Sequence, residues 1–254
     1  MTTEIKEGDV IGFTAITPLN DGIIAKHLAH SRTLGLPEAD GEPLKHLNII
    51  ANGPSAKGLT FDGPCMALNG AHSLFSKDNP PAYWAGCDPQ AHLADMIGEP
   101  FADTTYFVAA KCHPRVFETL RGHDVRLWHV SDHESDPDLR IVPCAVSVTL
   151  TALMLAQRLG YRKLDVYGWD CAFGADGSDH AGLGSLGANI QAVEVEVDGG
   201  QKFNTTHTWC CEINDAMGVL PVLEWCGVEI NVHGDGMLAA IREYDRKPKT
   251  AKAA

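Results

Sequence analysis

Asn52-Gly53-Pro54-Ser55 follows directly on the apolar run Leu47-Asn48-Ile49-Ile50-Ala51. An apolar strand that breaks into Gly-Pro beside small polar side chains presents backbone N–H groups and short donors at its carboxyl end. In open α/β sheets ligands gather above those ends, and successive N–H groups or a helix N-terminus make a hollow suited to an anion. Far along the chain, Asp170, Asp176, Asp179 and His180 form the most reactive cluster. Carboxylates of this kind hold a divalent cation that bridges phosphates, or take a proton from an attacking hydroxyl. Histidine titrates near neutral pH and serves as acid or base. The plain alternative is a solvated acidic loop; the placement of His180 between Gly-rich sequence and Ala181-Gly182 favours function.

The elements that must position these groups alternate. Residues 1–45 read as a loosely organised lead-in, punctuated by Gly8, Pro18, Gly22, Gly35, Pro37, Gly41 and Pro43. Strands are expected at 47–51, 65–70, 82–87, 104–110, 124–130, 163–167 and 228–232. Helices are expected at 90–97, 114–120, 146–159, 212–225 and 237–244. The clearest is 146–159, where Val148, Ala152, Leu155 and Leu159 recur at helical spacing before Gly160. Segments 191–197 and 201–206 flank Asp198-Gly199-Gly200 as a hairpin. The fold class is therefore α/β: a Rossmann-like, doubly wound, mainly parallel sheet with a small β-hairpin insertion. It forms one domain over 46–244, followed by a flexible basic tail at 245–254.

In such a sheet the groups at strand carboxyl ends face one edge: Asn52 to Ser55, Asn69, Asp88, and Asp170 after Gly168-Trp169. Each alone is what a turn uses; four together point to a shared crevice. Ser147 and Thr149 open the long helix, where their hydroxyls either cap free N–H groups or sit beside a phosphate held on the helix N-terminus. Two other patterns are set aside. His123, His129 and His133 have no ligand spacing, and Gly182-Leu183-Gly184-Ser185-Leu186-Gly187 neither follows a strand nor opens a helix.

Composition narrows the classes. The chain has 254 residues, 44 % of them hydrophobic, enough for one sizeable core. A net charge of −13 argues against a broad nucleic-acid footprint. No run reaches the roughly 18 apolar residues of a membrane span, and the start Met1-Thr2-Thr3-Glu4 lacks a secretory apolar region. The expectation is a soluble cytoplasmic protein. Its eight cysteines, with no C-x-x-C pair, read as reduced thiols. Homo-oligomerisation is left open.

The run from Val146-Ser147-Val148-Thr149 to Leu159-Gly160-Tyr161, then Leu164-Asp165-Val166-Tyr167-Gly168-Trp169-Asp170-Cys171-Ala172-Phe173, Asp176-Gly177 and His180-Ala181, carries a resemblance. It resembles the domain shared by motility-associated flagellin-modifying proteins and archaeal 6-hydroxymethyl-dihydropterin pyrophosphokinases, the domain of unknown function 115. Asn52-Gly53-Pro54-Ser55 and Ala67-Leu68-Asn69-Gly70 are similar to that domain as well. They also resemble bacterial lipooligosaccharide sialyltransferases, whose N-G-P-S loop holds the nucleotide of a CMP-sugar. Trp169 stands where the pattern has a polar residue. The resemblance implies a Rossmann-like nucleotide-dependent transferase. Asn52, Gly53, Ser55 and Asn69 would contact the nucleotide, and Asp170 and His180 would lie near the transferred group.

Three functions follow as expectations. The first is a glycosyltransferase using a CMP-type sugar donor, with Asn52, Gly53, Pro54, Ser55, Asn69, Asp88, Ser147, Thr149 and Gly168 binding nucleotide and Asp170, His180 and Asp176 as candidate catalytic groups. The second is a diphosphokinase that passes diphosphate from ATP to a pterin-like acceptor, with Asp170 and Asp176 holding Mg²⁺. The third is a non-enzymatic nucleotide-binding module. In each case the partners are small molecules, a nucleotide and, for the enzymes, an acceptor.

Overall fold

The computed structural model describes residues 19–40, 46–131, 134, 139, 141–185, 190–197 and 200–246. The central strands are apolar on both faces. In β1 (His46–Ile50), Leu47, Ile49 and Ile50 are wholly buried, and β2 (Cys65–Leu68) is buried throughout. Continuous burial is the mark of a parallel strand covered on both sides. The one polar residue in that stretch, Asn48, donates from its amide to the Asp62 carbonyl at 2.8 Å, so its burial leaves no donor stranded.

These strands join β3 (Tyr83–Gly86), β4 (Thr105–Ala109), β5 (Asp124–Val130), β6 (Ile141–Val142), β7 (Lys163–Tyr167) and β10 (Glu229–Val232) in one eight-stranded sheet. The order is β10-β7-β1-β2-β3-β4-β5-β6, and every pairing is parallel. The chain runs outward from β1 to β6, then returns to the other side of β1 as β7. The order therefore reverses between β1 and β7, as a doubly wound sheet requires. A separate antiparallel hairpin, β8 (Ala192–Val197) with β9 (Gln201–Thr206), makes the expected insertion. Its turn residues Asp198 and Gly199, like the tail at 247–254, lie outside the described residues.

The return from β6 to β7 is made by α4 (Val148–Arg158), which buries Leu150, Ala152, Leu153, Leu155 and Ala156. The hairpin leads into α5 (His207–Trp225), and α6 (Met237–Arg246) follows β10. Shorter helices α2 (Leu93–Ile97) and α3 (Pro114–Thr119) follow β3 and β4. Among the described residues no disulfide forms, and no helix is long and apolar enough to cross a membrane.

Three expectations need correction. The lead-in is not loose throughout, because α1 (Asp21–Thr33) starts at Asn20, whose side chain accepts from the Ile23 N–H, and buries Ile24 and Leu28. Beyond it, Ala39 N–H donates to the Leu127 carbonyl and Leu127 N–H to the Pro37 carbonyl, which ties the segment to β5. Strand β6, only two residues long, gave no periodic signal. Helix α5 begins at His207 rather than 212, because Thr206 caps it by accepting from the Trp209 N–H.

Candidate functional site

At the β1/β7 reversal the two carboxyl-end loops press together. Ala51 N–H donates to the Tyr167 carbonyl at 2.8 Å, and Gly53 N–H donates to the Gly168 carbonyl at 2.7 Å. Gly168 has φ +68°, and a Cβ there would stand 2.5 Å from the Ala51 carbonyl oxygen. Only glycine suits that left-handed, crowded position. Ser55 then closes onto Asp170: its N–H donates to Oδ2 at 2.8 Å and its hydroxyl to Oδ1 at 2.5 Å.

This geometry corrects the anion-hollow reading of the N-G-P-S loop. The N–H groups of Gly53 and Ser55 are spent on the β7 loop, and Pro54 has none. Asn52 is a latch of the same kind, since its amide donates to the Leu183 carbonyl and its Oδ1 accepts from the Gly182 N–H, both at 2.8 Å. The loop shapes the site, with the N–H groups of Gly53 and Ser55 turned to the protein.

A cavity opens at this point. Asn52, Gly53 and Pro54 line it from one side and Gly168, Trp169 and Asp170 from another. Asn69 at the end of β2, Ser147 and Thr149 at the start of α4, and His180 complete the predicted residues that it gathers. Three predicted residues lie elsewhere. Ser55 is behind the wall, on Asp170. Asp88 closes its own turn by accepting from the Gln90 N–H at 2.8 Å, and Asp176 folds back on the Ser178 N–H and hydroxyl. Neither Asp88 nor Asp176 lines the cavity; for both, turn chemistry is the better account.

Signs of a site concentrate here. Asn69 and Cys171 are the described non-glycine residues with positive φ, at +46° and +51°, and both line the cavity. Backbone held in that region by its surroundings is a feature of functional positions. The Asn69 carbonyl is fixed by the Trp84 indole N–H at 2.9 Å, while its side-chain Oδ1 is buried without a partner. His180 Nδ1 lies 3.2 Å from Asp179 Oδ1, close enough for an ion pair when the ring is protonated but out of line for a hydrogen bond. Burial raises the Asp170 carboxyl above its ordinary range despite the pull of Ser55, and nearby Asp235 adds to the rise.

Three residues for which the sequence suggested no role also line the cavity: Trp169, Trp209 and Glu212. Glu212 is 8 % exposed, and its Oε1 accepts from the Trp169 indole N–H at 2.5 Å. Burial raises its pKa, while hydrogen bonds from Ser147 and Trp169 act the other way. A signal existed: Glu212 shares the buried stripe of α5 with Ala216, Leu220 and Leu223, where a carboxylate is out of place unless it has partners.

Among the described residues no lysine or arginine lines the cavity, whereas Asp170, Asp179 and Glu212 do. The proposed Mg²⁺ pair does not fit: Asp170 is engaged by Ser55, and Asp176 sits apart on Ser178. Among the described residues no three His, Cys, Asp or Glu side chains converge as a metal cage.

No protein-family model matches the chain, and no curated protein matches it. Among solved structures it is similar to the MAf glycosyltransferase of Magnetospirillum magneticum, with a TM-score of 0.57 and 12 % identity over 87 % of this chain. The chain spans 39 % of that protein's length. At this identity the likeness is one of fold.

Proposed function

We propose that the protein is a glycosyltransferase that uses a nucleotide-activated sugar of CMP type. The observation that carries this reading is the single cavity at the β1/β7 reversal, where Asn69, Gly168, Asp170, Ser147 and His180 come together from distant segments. Ligands of doubly wound sheets bind at such reversals. The fold likeness to a glycosyltransferase and the resemblance of the N-G-P-S loop to that of sialyltransferases support the same reading.

The cavity's electrostatics favour a donor with one phosphate. A triphosphate brings several negative charges that need cations, and among the described residues no lysine or arginine lines these walls. A single phosphodiester asks for much less. In the proposed reaction His180 accepts the proton of an acceptor hydroxyl as its oxygen attacks the anomeric carbon. The bond from that carbon to the phosphate oxygen breaks, and its electron pair leaves with CMP. The good leaving group makes positioning the main task. Asp170 takes no proton here; it holds the loop through Ser55.

The ATP-dependent diphosphokinase has less support, because its two metal carboxylates face different partners. Titration calorimetry with CMP, CDP and ATP, followed by assay of CMP release from a CMP-sugar with and without acceptor, tests the reading. CMP binding with acceptor-stimulated release is expected. Binding without release would identify a non-enzymatic module, AMP formation from ATP would identify the diphosphokinase, and failure to bind any cytidine nucleotide would end the proposal.

A further inference from the structure

We infer that Glu212 is the specificity determinant of the cavity, accepting a hydrogen bond from a donor group on the ligand. In a cytidine nucleotide that donor is the 4-amino edge of the base. The inference rests on the nucleotide reading above and adds to it a residue and a choice of base.

The carboxyl of Glu212 is built as an acceptor. Its first partner, the Trp169 indole, can only donate. Its second, Ser147, has an oxygen already accepting from the Leu150 N–H at 3.2 Å, which directs the hydroxyl proton to Glu212. A carboxylate has about four lone-pair positions, so these two donors leave capacity on a group that also lines the cavity.

Its titratable neighbours are acidic. Asp215 on the same helix adds to the upward shift of its pKa, and Asp170 on the loop after β7 also lines the cavity. From α4 it meets the hydroxyl of Ser147, and Asp179 and His180 are further titratable groups that line the cavity. A carboxyl that accepts hydrogen bonds beside the first turn of α4 offers an incoming phosphate acceptors where it needs donors. The helix N-terminus, expected from sequence to hold the phosphate, instead faces the acceptor oxygens of Glu212. The uncharged base therefore belongs at the Glu212 end, beside Trp169 and Trp209, and the phosphate toward His180.

Cytosine presents an amino donor at its 4-position and uracil a carbonyl acceptor. Glutamate accepting from the cytosine amine is a good pair, and the wrong base costs about tenfold or more in affinity. A merely structural Glu212, bracing Trp169 and α4, would show no preference between the two bases.

The test is calorimetric titration of the full chain with CMP, UMP and N4,N4-dimethyl-CMP, which lacks the donor hydrogens. Wild type is expected to bind CMP about tenfold or more tighter than either of the others. In Glu212→Gln the amide oxygen still accepts from Trp169, and the amide NH₂ adds a donor beside the ligand. The CMP preference is expected to vanish or reverse toward UMP, with the unfolding temperature unchanged. Equal wild-type affinity for the three ligands overturns the inference without any variant, as does a Glu212→Gln protein that keeps the wild-type ratio. Absence of all nucleotide binding removes the proposed function and this inference together, whereas tight binding without base preference removes this inference alone.

Discussion

Ser55 and Asp170, 115 residues apart in sequence, are joined by two hydrogen bonds, one from the backbone N–H and one from the hydroxyl. The pair fastens the loop after β1 to the loop after β7 at the point where the strand order reverses. Asp170 is 5 % exposed, and each of its carboxyl oxygens accepts from Ser55 where the two loops border the cavity.

That assignment separates two substitutions. Asp170→Ala strands the Ser55 N–H and is expected to cost about 1–3 kcal/mol of stability, with loss of nucleotide binding as the loop slackens. Asp170→Asn can still accept from the N–H and donate to the hydroxyl, so it is expected to fold and bind. Burial raises the Asp170 pKa, so the native state holds its proton more tightly than the unfolded chain. The resulting stabilisation is full below the unfolded value of about 3.9 and is lost as pH rises through the folded value. Asp170→Asn should remove that slope from chemical denaturation measured across acidic pH. An Asp170→Asn protein that folds normally but binds no nucleotide would show that the carboxylate itself contacts ligand.

The same junction depends on Gly168. Gly168→Ala places a Cβ 2.5 Å from the Ala51 carbonyl oxygen at a φ of +68°. The left-handed conformation alone costs an L-residue about 1–2 kcal/mol, and the contact adds to it. Urea denaturation should show a loss above that figure, and an unchanged midpoint would contradict the packing described.

The sheet was largely legible because its strands are short apolar runs between turn residues. β5 and β7 coincide with the expected 124–130 and 163–167. Helix α1 was not, since Gly22, His27, His30 and Arg32 dilute its apolar face, and only its packing reveals it. At the site, sequence singled out polar residues at strand ends without distinguishing a turn from a wall. Asp88 and Asp176 use the same chemistry as Asn69, but on their own backbone. Glu212 escaped for the opposite reason: it lies inside a helix and meets Trp169 only through 43 residues of intervening fold.

Away from the cavity, His129 is sandwiched between carboxylates. Its Nδ1 lies 2.8 Å from Glu134 and its Nε2 3.1 Å from Glu38, while Arg32 reaches Glu134 at 3.2 Å. Burial lowers the His129 pKa, but the hydrogen bonds and charges of Glu134 and Glu38 outweigh it, and the net direction is upward. The stabilisation is thus full below the unfolded value of about 6.5 and is lost as pH rises through the folded value. His129→Gln is expected to cost about 3–5 kcal/mol near pH 6, with the gap to wild type narrowing toward pH 9. Thermal melts of both proteins over that range check it; a gap that widens with pH would refute the ion-pair account.

Asn69 allows its backbone and side chain to be tested apart. Its φ of +46° suits glycine, so Asn69→Gly keeps the turn and removes the amide, whereas Asn69→Ala removes the amide and adds left-handed strain. Because the buried Oδ1 has no partner among the described residues, it is expected to accept from a ligand donor such as a ribose hydroxyl. Asn69→Gly is expected to leave stability within about 0.5 kcal/mol of wild type and to weaken CMP about tenfold, the worth of one hydrogen bond. Asn69→Ala should weaken CMP equally and lose about 1–2 kcal/mol of stability as well. Calorimetry and denaturation on the two variants decide the matter: full CMP affinity in Asn69→Gly would mean that the strained backbone, and not the amide, is what this position supplies.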